Sequence, residues 1–84
     1  MVYYLIICRS LTYAQRTAAA LERAGITAHI MRTPRDISTG GCSHAVKVSE
    51  RRLSDALTIL HRAELSPKQI YMIAADGGYK EVSL

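Results

Sequence analysis

The sequence has no phenylalanine, no tryptophan, and only two cysteines and two prolines among its 84 residues. Two cysteines, Cys8 and Cys42, are too few for the disulfide framework of a small secreted domain. In a reducing compartment both are expected as free thiols. No apolar run approaches the roughly 18–20 residues needed to span a bilayer. The longest, Val2–Cys8, begins at residue 2 without a basic segment before it, so it does not read as a signal peptide. A cytoplasmic protein is expected. Charge of one sign is not clustered either. Eleven Lys and Arg oppose seven Asp and Glu for a net charge of +4, with no basic run. Such a mild excess suits acidic or phosphate-bearing partners without indicating nucleic acid.

What is present is ordinary for a globular chain, 49% hydrophobic and 21% charged, which argues against disorder and against a coiled coil. A chain of this size folds as one small domain and buries about 60–65% of its unfolded surface. Residues 1–75 are expected to form that domain. Residues 76–84 are expected as a polar tail whose pairing with a sheet edge the sequence leaves open.

Val2–Cys8 is continuously apolar and rich in β-formers, as in a strand buried on both faces. From Ser10 the period lengthens. Leu11, Ala14, Ala18 and Leu21 share one helical face, with Ser10 as N-cap and Gly25 as the stop. On that helix Arg16, Glu22 and Arg23 read as a solvated face. Ile26–Thr33 alternates as a half-buried strand. Pro34–Gly41 is a loop, and alternation resumes at His44–Val48. Ser49 can cap a second helix bearing Leu53, Ala56, Leu57 and Leu60, which Ser66-Pro67 would end. Gln69–Ala74 is a fourth strand, followed by an Asp76-Gly77-Gly78 turn.

The order β-α-β-β-α-β is that of an α+β, ferredoxin-like two-layer sandwich. Right-handed crossovers then give an antiparallel sheet in the order 4-1-3-2. The sheet face away from the helices is a possible homodimer surface. Tyr4, Ile6, Thr27, His29 and Met31, or the residues alternating with them, would form it.

This topology gathers Cys8, Arg9, Ser10, Arg32, Arg35, Cys42 and His44 at one end of the sheet. The start of the first helix lies there, where free N–H groups and the helix dipole favour an anion. With Arg9, Arg32 and Arg35 nearby, these are conditions that lower a thiol pKa. Gly40-Gly41 leaves the Cys42 sulfur approachable, and the 34–42 loop is longer than a tight hairpin requires. A reactive thiol and an inert loop cysteine both fit Cys42. Cys8 reads as a small buried hydrophobe.

Conventional enzyme parts are missing. There is no Walker loop, no G-x-G-x-x-G, no paired-carboxylate cleft and no Ser/His/Asp set that the topology assembles. Cys42-x-His44 is at most half a metal site, since zinc takes four ligands. Neither a metal nor a cofactor is expected.

A strand, then Ser10…Ala20-Leu21…Ala24-Gly25-Ile26, then Arg32-Thr33-Pro34-Arg35…Ile37-Ser38…Cys42…Ala45-Val46-Lys47-Val48, then a helix with Leu53…Ala56-Leu57, resembles a selenium/sulfur carrier-like family of short bacterial proteins. The resemblance spans about residues 3–73. The family pattern has Cys-Gly where this chain has Cys42-Ser43. The resemblance implies that Cys42 accepts sulfur or selenium as a persulfide or selenosulfide and hands it on. Arg9, Ser10, Arg32, Arg35, Gly40, Gly41 and His44 would form its surroundings. A cysteine desulfurase-type donor and an acceptor protein would be the partners, and the chain would be a carrier more than an independent enzyme. The competing expectation is a non-catalytic binding module, a ligand-sensing dimer or a phosphate or RNA binder using Arg9, Arg32 and Arg35.

Overall fold

The structure, a computed structural model, describes residues 2–35, 37, 44–65, 67 and 69–82. Its elements are β1 (Tyr3–Cys8), α1 (Leu11–Arg23), β2 (His29–Arg32), β3 (His44–Ser49), α2 (Leu53–Arg62), β4 (Gln69–Ile73) and β5 (Tyr79–Glu81). A single 3-10 turn, Glu50–Arg52, leads into α2. The five strands form one antiparallel sheet in the order β2-β3-β1-β4-β5.

That order corrects the expected four-strand sheet 4-1-3-2. Residues 79–81 add a strand beyond β4, so β4 is internal and β5 is the edge. The addition follows from the turn chemistry. Gly77 has φ +88°, Ala74 N–H donates to Gly78 O at 2.8 Å, and Asp76 Oδ1 accepts from Gly78 N at 2.9 Å. A short polar side chain and a left-handed glycine thus reverse the chain into a hairpin.

α1 is bounded as its sequence requires. Ser10 Oγ accepts from Tyr13 N at 3.1 Å, which satisfies one of the free N–H groups of the first turn. Gly25, at φ +84°, ends the helix. Its N–H donates to Glu22 O at 3.0 Å, and Ile26 N–H donates to Leu21 O at 2.9 Å. Leu11, expected on the buried stripe, stays 44% exposed at the first helical position. Thr17 is interior instead.

α2 ends at Arg62, before the expected Ser66-Pro67 stop. Glu64 takes the left-handed conformation at φ +58°, and Leu65 N–H reaches back to Leu60 O at 2.9 Å. A non-glycine residue performs there what Gly25 does for α1. Ser66 lies outside the described residues. β2 is also shorter than the expected strand, because only His29–Arg32 pairs with β3.

The sheet has two buried faces. Ile6, Cys8, Val46 and Val48 face the helices and pack with Ala14, Ala18, Leu21, Ile26, Ala56 and Leu60. Leu5, Ile7 and Ala45 face the other way and pack with Ile37, Met31, Tyr71 and Ile73. The surface drawn from Tyr4, Ile6, Thr27, His29 and Met31 is therefore divided. Tyr4 and Ile6 lie with the helices, Met31 lies on the opposite face, and Thr27 precedes β2. Leu5, Ile7 and Ala45 on the helix-free face are fully buried within one chain.

Candidate functional site

At the end of the sheet where β1 finishes, β4 also begins, with Gln69 beside Ile7, and β2, β3 and β1 contribute one row. Arg32 is paired in register with His44, and His44 with Cys8, so the three occupy one row across β2, β3 and β1. The period-two pleat puts all three on the helix side of the sheet. Beyond Cys8 come Arg9 and then Ser10, the cap of α1. The first turn of α1 contains no acidic residue, so its dipole is not offset by its own carboxylates.

The two ends of this row differ in access. Cys8 is 1% exposed, and its sulfur lies 3.6 Å from Ile6 O and 3.9 Å from Thr17 Oγ1, either of which its single S–H can reach. It is a core residue, as expected. Arg32 and Arg9 are exposed, and His44 is half-buried. Arg9 lies with its guanidinium carbon 5.0 Å from the centre of the Tyr13 ring. That contact holds the cation beside the first turn of α1.

After β2 the chain enters the long connection. Thr33 is 9% exposed, and its hydroxyl is buried without a hydrogen-bond partner among the described residues. Such a group is costly unless something polar meets it. Arg35 is exposed in a turn that Ile37 N–H closes onto Pro34 O at 3.1 Å. Ile37 then buries its side chain against Leu5, Ile7 and Ala45. Gly40, Gly41 and Cys42 lie outside the described residues, so Arg9, Ser10, Arg32, Arg35 and His44 are the members of the expected set with a described position.

Sequence reasoning missed three participants. Tyr13 had a signal, since it stands four residues after Arg9. Ile37 had one too, as the single large apolar side chain in the stretch Pro34–Gly41. Thr33 had none, because neither its burial nor its unpaired hydroxyl shows in the pattern. Among the described residues, no group of three or more His, Cys, Asp or Glu side chains is placed to hold a metal ion. No described helix is long and apolar enough to cross a membrane.

Among the described residues, the arrangement provides a cationic setting at the start of α1, whose first turn has no acid, next to a buried hydroxyl without a partner. It suits an anion. A family model described as "Putative Se/S carrier protein-like" matches residues 3–72. No curated protein matches the chain, and no solved structure does.

Proposed function

Because the chain belongs to the selenium/sulfur carrier-like family, we propose that it is a thiol-based carrier, holding sulfur or selenium on Cys42 as a persulfide or selenosulfide between a donor enzyme and an acceptor protein. The observation that carries this reading is the burial of Cys8. The chain has two cysteines, and a sulfur enclosed by Ile6, Thr17 and the helix layer is closed to a macromolecular donor. Thiol chemistry with a partner protein therefore falls to Cys42.

In the proposed reaction the Cys42 thiolate attacks the outer sulfur of a persulfide on the donor. The donor's S–S bond breaks, its cysteine leaves as a thiolate, and the Cys42 persulfide forms. No net oxidation or reduction occurs, so no cofactor takes part. A selenium atom in the outer position would pass in the same way. Arg9, Arg32, Arg35 and the amino end of α1 stabilise the thiolate, His44 serves as a nearby proton partner, and Gly40-Gly41 gives the donor access. A cysteine desulfurase is the class of donor that fits.

Intact-mass measurement after incubation with a cysteine desulfurase and free cysteine tests the assignment. The native chain and Cys8→Ser should each gain one sulfur atom, reversible by a reductant, and Cys42→Ser should gain none. Sulfur uptake by Cys42→Ser would remove the assignment. The alkylation rate of Cys42 against pH supplies a second check. A midpoint below the ordinary cysteine value of about 8.5 supports the carrier, and a midpoint at that value favours a binding module that uses the arginines alone.

A further inference from the structure

The helix layer carries a groove unrelated to the Cys8–His44 end of the sheet. Arg16, Ala19 and Arg23 of α1 form one wall, and Ala63 and Leu65, just past α2, form the other. The first three stand at i, i+3 and i+7, which places them along one side of the helix. The two arginines are therefore about 10.5 Å apart along the axis, at about 1.5 Å per residue. Ala19 stands between them on the groove side.

Leu65 owes its place to the left-handed turn at Glu64. The bond from Leu65 N–H to Leu60 O folds the chain back onto the helix layer. There Leu65 is half-buried against the helix-side core. Ala19, Ala63 and Leu65 give the groove apolar lining between cationic posts.

Those posts are available. Arg16 and Arg23 are exposed, and neither has an ion-pair or hydrogen-bond partner among the described residues, where the ion pair found is Arg52 with Asp55. Glu22, the acid nearest Arg23 in sequence, lines a different hollow with Gly25, Ile26 and Thr27. On the α2 side the neighbouring charges are Arg62 and Glu64, both exposed, which offset each other. The groove keeps the positive sign of its wall.

We propose that this groove docks an acidic, amphipathic helix of a partner protein. Carboxylates at i and i+7 of that helix would meet Arg16 and Arg23, and an aliphatic side chain between them would rest on Ala19, Ala63 and Leu65. The small side chain at position 19 lets a second helix approach to the usual 8–10 Å. An apolar stripe set in a groove with flanking charges is the helix-in-groove mode of recognition, with the charges fixing orientation. Single-stranded nucleic acid is the poorer occupant, because it binds where aromatic rings accompany the cations. Among the described residues, no aromatic side chain lines this groove.

The test uses the full chain and a synthetic helical peptide with Glu at i and i+7 flanking a Leu, followed by fluorescence anisotropy. Saturable binding is expected, weakened about tenfold or more in the double variant R16E/R23E, with unchanged circular dichroism. A peptide with Lys in place of Glu should bind R16E/R23E better than it binds the native chain, and Leu65→Ala should weaken the acidic peptide. Three results would overturn the proposal. These are no saturable binding, equal binding by native and charge-reversed chains, and tighter binding of a uridine oligonucleotide lost in R16E/R23E. None of them depends on sulfur uptake by Cys42.

Discussion

The two faces of the sheet are buried by different means. On one, α1 and α2 lay Ala14, Ala18, Leu21, Ala56 and Leu60 over Ile6, Cys8, Val46 and Val48. On the other no helix lies among the described residues, and closure comes from half-buried side chains of the strands themselves, Met31, Tyr71 and Ile73, with Ile37 from the long connection. Lys47 contributes with its Nζ 4.1 Å from the centre of the Tyr3 ring. The helix-covered face is held by elements distant in sequence. The other takes one side chain, Ile37, from the described residues of the connection, so that residue couples the connection to the sheet.

Substitutions can separate the two modes. The largest loss is expected from Leu60→Ala or Leu21→Ala, both fully buried between helix and sheet, at about 2–5 kcal/mol in denaturant unfolding. Ile37→Ala should cost less, about 1–3 kcal/mol, since a connection can settle around a shortened side chain more easily than a helix can. Equal losses at Leu60 and Ile37 would show that the two faces are held alike. Ile37→Ala should also lower the rate of sulfur uptake at Cys42 by more than its stability loss implies, because the anchor of that segment is removed. An uptake rate unchanged in this variant would break the link between the back face and the proposed carrier thiol.

The helix ends offer a finer comparison. Gly25 and Glu64 occupy the same left-handed position after α1 and α2. A Cβ at Gly25 would meet nothing within 4 Å, so Gly25→Ala tests the backbone alone and should cost about 1 kcal/mol. Glu64→Gly should stabilise by about 0.5–1 kcal/mol, measured by the same unfolding curves. A destabilised Glu64→Gly would mean that its side chain contributes more than its backbone costs.

Much of this was legible in the chain. Val2–Cys8 reads as buried on both faces because every residue of it is apolar, and Ser10 and Gly25 mark α1 because capping is local chemistry. The end of α2 was misplaced at Ser66-Pro67, since Glu64 gives no sign of a left-handed turn. Tyr79–Glu81 did not declare itself a strand, as three exposed polar or aromatic residues carry no alternating apolar signal. At the site, the gathering of Arg9, Ser10, Arg32 and His44 followed from strand order. The orphaned hydroxyl of Thr33 could not, because it depends on how closely neighbouring segments pack over it.

The hairpin that adds β5 leaves the sheet bordered by two very short strands, four residues of β2 and three of β5. Long bare borders invite other chains to continue the ladder into fibres, and brief ones interrupt it. Cutting the chain before Tyr79 would uncover the row Gln69–Ile73, rich in β-formers, and turn the sheet's margin into a template for aggregation.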